Sequence, residues 1–149
     1  NMDMNINMDM NINMDMNMNV TGKNSVGIWN LSEPIHGYKN LVCKCTDGGK
    51  FVKAMAELTI PTGATVIRSF YSISHPDYLR TDMVKVDRIL PINADHKIDV
   101  NYCLLNNSQN RSLYQEHQSY TSNLDYDVDR FPTLAEGIHF RLNRNGCDP

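Results

Sequence analysis

Imidazoles and thiols are the groups in this chain best able to do chemistry. The histidines are His36, His75, His96, His117 and His139, and the cysteines are Cys43, Cys45, Cys103 and Cys147. No pair has His-x-x-x-His, Cys-x-x-Cys or Cys-x-x-His spacing, so the chain carries no linear metal signature. Cys43 and Cys45 share a face if their segment is a strand, and with His139 they are a set of soft ligands brought together only by folding. Two strand thiols and a structural histidine are the simpler reading, and we expect no metal and no cofactor. The catalytic alternative makes His139 a general acid/base beside Arg80 or Cys43.

Binding chemistry has other candidates. Tyr114, Tyr120 and Tyr126 recur every six residues in polar surroundings, a spacing that suits a recognition surface as well as coincidence. Trp29, the only tryptophan, is a core anchor or an interface residue, with the core preferred. The run Leu124-Asp125-Tyr126-Asp127-Val128-Asp129-Arg130 has the carboxylates of a calcium loop but lacks its central glycine and terminal glutamate, so we read it as a solvated loop. Gly48-Gly49 belongs to a hairpin turn and not to a phosphate-binding loop between a strand and a helix.

These residues sit behind a tract of different character. From Asn1 to Val20 every odd position is Asn or Asp and every even position is Met, Ile or Val. Single-base differences among these codons make DNA slippage a sufficient origin for an unstructured tail. The same period of two also fits a strand, one so long that it would have to bend, break or pair between subunits. We divide the chain into this tail (1–20), a linker and lead-in (21–37) and a β-rich domain (38–149). About 129 of the 149 residues follow the tail, enough for one domain with its own core. Asn1 has no Met before it and residues 145–149 read as a turn, so we expect a piece of a longer product, cut on both sides.

The elements expected to position the candidates are mostly strands. Tyr38–Cys45 and Lys50–Ile60 form a hairpin through Thr46-Asp47-Gly48-Gly49, with Val52, Ala54, Ala56 and Leu58 on its apolar face. Thr65–Phe70, Met83–Leu90, Lys97–Leu105 and Ile138–Leu142 are further strands. Asn106–Asp129 reads as a long surface loop with a short helix around Leu113–His117. The fold class is α+β and β-rich: antiparallel hairpins forming a small sheet or partial barrel with few short helices.

Charge and hydropathy narrow the partners. The net charge of −3 and scattered lysines and arginines make nucleic acid an unexpected partner. No apolar run approaches the ~20 residues of a membrane span, and no signal peptide is visible. Sparse cysteines are expected to be reduced thiols in a reducing compartment.

Three stretches resemble a known pattern. Leu58-Thr59-Ile60-Pro61 with Ala64, then Arg80-Thr81-Asp82-Met83-Val84-Lys85-Val86, then Gly137-Ile138-His139-Phe140 are similar, in order and spacing, to a small domain of unknown function. That domain is found in giant amoebal viruses and some tailed phages, and the resemblance covers Tyr38 to about Leu142. The family carries a second aromatic after Phe140 and then a helix, where this chain has Arg141 and a turn. The resemblance implies a viral origin, with the host cytoplasm or the virion as location, and no established activity. The reading is therefore an uncharacterised viral accessory or protein-interaction module without catalytic activity, binding a protein partner or itself. A structural assembly protein using the tail as an inter-subunit strand is the alternative, and a small enzyme built on His139 the second alternative.

Overall fold

The computed structural model describes residues 26–70, 77–105, 113–131 and 134–144. Among them the chain forms ten strands and no α-helix. They are β1 (Gly27–Asn30), β2 (Ile35–Cys45), β3 (Phe51–Ile60), β4 (Thr65–Arg68), β5 (Tyr78–Thr81), β6 (Met83–Pro91), β7 (Ile98–Leu105), β8 (Leu113–Tyr114), β9 (Ser119–Thr121) and β10 (Ile138–Arg141). All pair antiparallel in one open sheet of order β1-β4-β5-β10-β2-β3-β6-β9, with β7 on β2 and β8 on β7. The β-rich antiparallel expectation stands, without the α component. The helix expected around Leu113–His117 is instead β8 followed by a turn, where His117 takes a positive φ of 67°. The alternating tract lies outside the described residues, as do His75 and Cys147.

The β2–β3 hairpin is the fold's centre, and its alternation is the reason. Val52, Ala54, Ala56, Leu58 and Ile60 of β3 are buried, as are Leu41, Cys43 and Cys45 of β2. Ten residue pairs join the two strands in unbroken register, from Ile35↔Ile60 to Lys44↔Phe51. Gly49 at the turn has a φ of 73°, which its missing side chain permits. Pro61 closes β3 because it has no N–H for a ladder. A sheet without a covering helix layer buries its apolar face by curling over itself, and one continuous core runs from Trp29 and Leu31 through β2 to β6 to Tyr114 and Phe140. Trp29, 4% exposed, is a core residue, and it and β1 fall within the stretch expected as linker.

Cys43 and Cys103 face each other in the β2–β7 register and form a disulfide, with Cα atoms 4.1 Å apart. This overturns the expected reduced thiols and runs against a reducing compartment. The pairing was hidden because 60 residues separate the two cysteines. Cys45, also buried, is a free thiol. No helix among the described residues is long and apolar enough to cross a membrane.

Tyr114 and Tyr120 stack with ring centroids 4.6 Å apart, and the Tyr120 hydroxyl accepts a bond from the Gln115 N–H. Burial, with Tyr120 alongside, pushes the Tyr114 phenol up to about 12.

Two outcomes are expected. Alkylation of the unreduced, denatured chain followed by mass spectrometry should leave Cys43 and Cys103 unlabelled, and reduction should lower stability by about 4 kcal/mol on chain-entropy grounds. Modification of both cysteines before reduction would contradict the pairing. The second concerns alkaline pH. Between the usual tyrosine pKa of 10.0 and about 12 the folded chain holds a proton that the unfolded chain releases, so stability should fall as pH rises through that window. Tyr114→Phe should make this fall shallower by at most about 2.7 kcal/mol in urea melts, without abolishing it, because burial also raises Tyr78.

Candidate functional site

β2 has two edges and three neighbours. Ile35 to Lys44 pair with β3 on one edge. The other edge is divided: Tyr38 pairs with Arg141 of β10, and Leu41 to Cys45 pair with β7. Among the described residues neither of those two ladders includes Lys39 or Asn40. A cleft of about 160 Å³ opens at this division. Tyr38, Lys39 and Asn40 line it from β2, Tyr78 from β5, and His139, Phe140 and Arg141 from β10.

The cleft is cationic and aromatic. On the β5–β10 pair, Tyr78, Arg80, His139 and Arg141 share one face, because His139 stands opposite Arg80 and Arg141 opposite Tyr78. The Tyr78 and His139 rings stack, 20° from parallel with centroids 5.6 Å apart. The Arg141 guanidinium lies 4.7 Å from the Tyr78 ring centroid on its other contact and 3.9 Å from Asp77. Lys39 Nζ donates to the His139 main-chain oxygen at 2.6 Å. Burial raises the Tyr78 pKa, against the opposing pull of Arg141, so the phenol remains a neutral donor and acceptor at physiological pH.

Two glycines bring the walls together. A Cβ on Gly37 would stand 2.5 Å from the Phe140 ring, so only glycine lets β10 lie against β2 here. Gly137 has a φ of 143°, and a Cβ there would meet Leu124 at 2.8 Å. Behind the cleft, Arg80 is 1% exposed and its guanidinium donates to the main-chain oxygens of Asp125, Glu136 and Asp127. Desolvation lowers the Arg80 pKa, while Asp125 and Asp127 act in the other direction. This clamp fixes the main chain at Asp125, Asp127 and Glu136 over β5.

The catalytic candidates are therefore dispersed in function. His139 lies in the cleft, partly exposed. Arg80, its register partner, is engaged by main-chain carbonyls, and Cys43 is half of the disulfide. Among the described residues no cluster of histidine, cysteine and carboxylate side chains fits a metal ion. Of the binding candidates, Trp29 and Tyr114 are buried and Tyr120 stacks on Tyr114, leaving Tyr126 exposed at 57%. Asp125 and Asp127 of the acidic run turn inward on their own chain: each accepts from the N–H two residues on, and Arg130 pairs with Asp125 at 2.6 Å. Tyr38, Lys39, Tyr78 and Arg141 were missed, because register alone assembles them and no linear spacing marks it.

Gly37→Ala should lower stability by about 1–3 kcal/mol through overpacking against Phe140, read as a shift in the urea midpoint. Gly48→Ala, where an added Cβ meets nothing within 4 Å, should be close to neutral. Equal effects at the two positions would mean that the β2–β10 contact is not tight.

A family of unknown function (DUF5758) matches residues 14–147, a span that begins inside the alternating tract and passes both ends of the stretch carrying the motif resemblance. No curated protein and no solved structure matches the chain.

Proposed function

We propose that this chain, which belongs to that family of unknown function, is a non-catalytic binding module whose cleft between β2 and β10 holds an anionic group of a macromolecular partner. One observation carries the reading. Lys39, His139 and Arg141 meet at a small cleft walled by Tyr38 and Tyr78. Cations beside aromatic rings suit a carboxylate or phosphate joined to an apolar or planar body. Asp77, 3.9 Å from Arg141, is the carboxylate an incoming anion would displace or share. Among the described residues the cleft is lined by no thiol or serine, and its histidine stacks on a tyrosine, which favours holding a ligand over transforming it. The viral accessory role implied by the three ordered motifs is part of the same proposal.

Phosphate and N-acetylglutamate, added separately during NMR observation of the labelled chain, test it. Signals of Tyr38, Tyr78, His139 and Arg141 should move together and saturate. Arg141→Met combined with Lys39→Met should weaken that response by about 10-fold or more. Shifts scattered over the surface, or an undiminished response in the double variant, would remove the cleft from consideration.

A further inference from the structure

We infer that the outward face of β2 is a track for single-stranded nucleic acid, beginning at this cleft; the inference rests on the anion-binding reading of the cleft and names its partner. Successive side chains of a strand alternate between faces. Tyr38, Asn40, Val42 and Lys44 therefore form one row, opposite the buried Leu41, Cys43 and Cys45. From Tyr38 to Lys44 that row spans roughly 20 Å of extended chain.

Both ends of the row pair rings with cations. At one end stand Tyr38 and Tyr78 with His139 and Arg141. At the other, Lys44 lies between two exposed rings on the flanking strands, Phe51 of β3 and Tyr102 of β7, which are 43% and 45% exposed. The Phe51 and Tyr102 centroids are 5.7 Å apart at a tilt of 58°, and Lys44 Nζ is 5.5 Å from the Tyr102 centroid. Lys53, opposite Val42, adds a further exposed cation to the same face. Between the ends, Asn40 is exposed and offers an amide that can donate and accept.

Charge complementarity and repetition select the occupant. A ligand that meets ring, cation, amide, cation and ring along one extended line must itself repeat planar groups and negative charge. Single-stranded nucleic acid does so, with bases for the rings and phosphates for the lysines and arginine. An acidic polypeptide supplies the charge but leaves Phe51 and Tyr102 without matching partners. The carboxylates bordering the row are already paired: Glu57 holds Arg88 through two bonds of 3.1 Å, and Asp77 faces Arg141. The overall charge of −3 therefore misrepresents this face.

Fluorescence anisotropy with labelled oligothymidine and oligouridine of about 12 nucleotides tests the inference on the full chain. Binding should be detectable at low salt and weaken as salt rises, with a log–log slope near −2 for about three phosphate contacts. Phe51→Ala with Tyr102→Ala should weaken it by about 10-fold or more, leaving the slope and the phosphate response of His139 unchanged. Lys44→Ala with Lys53→Ala should reduce the slope. Both pairs are exposed, and an unchanged thermal melt certifies folding. Failure of either oligonucleotide to bind at low salt, or indifference to loss of the two rings, overturns the inference. If phosphate still moves the cleft signals in that case, the cleft reading survives; if neither ligand acts, both fall. Tighter binding of polyglutamate than of either oligonucleotide assigns the face to an acidic protein and likewise overturns the inference.

Discussion

One strand serves three neighbours, and the rest of the structure follows from how its edges are divided. β2 gives one edge to β3, and that unbroken ladder aligns the buried rows of both strands. Its other edge is shared between β10 and β7. Sharing leaves a gap: among the described residues neither the β10 ladder nor the β7 ladder reaches Lys39 or Asn40, so this edge of β2 is open there while the β3 edge stays paired. The opening is thus a consequence of topology and not an accident of side-chain packing. The disulfide and Gly37 act on opposite sides of it. Cys43–Cys103 holds β7 against the far half of the edge, while the bare Gly37 admits Phe140 at the near half.

A buried charge secures the other wall. Arg80 lies on the outer face of β5, where an open sheet would leave it in water. The main chain at Asp125, Asp127 and Glu136 covers it, and the three main-chain oxygens there replace the lost hydration. The exchange works in both directions, since those carbonyls belong to irregular chain and have no ladder to join. Arg80 Nε has no partner among the described residues, which adds a cost to burial. The cover stops short of Tyr78, His139 and Arg141, leaving them to line the cleft.

Legibility in the sequence tracked how local each signal was. Asp47-Gly48-Gly49 and the alternation after it revealed β2 and β3, and punctuation by Pro61 and Pro91 bounded β3 and β6. β5 escaped because Tyr78-Leu79-Arg80-Thr81 is four residues long and buries an arginine under distant main chain. β8 and β9 escaped inside a polar run, where neighbouring strands and not composition decide the pairing. His139 was legible as part of Gly137-Ile138-His139-Phe140. Its companions come from β2 and β5, about 100 and 60 residues earlier, and only the register brings them together. The disulfide was illegible for the same reason.

Net charge is a sum over a chain, whereas a partner meets one face. Much of the negative charge is spent on the fold itself. Asp82 accepts from the Thr65 N–H, Asp87 from the Thr59 hydroxyl and Glu116 from the Ile89 N–H. Asp125 is held by Arg130 and by a backbone N–H, and its pKa is lowered, the Asp127 N–H being the largest cause. The lysines at positions 44 and 53 are exposed on the outer face of the central hairpin. Carboxylates are good acceptors for main-chain N–H groups at bends, so folding draws them into turns and strand ends; ammonium groups cannot fill that role. A chain acidic in total therefore still places Lys44 and Lys53 together on the outer face of its central hairpin, a placement set by strand register.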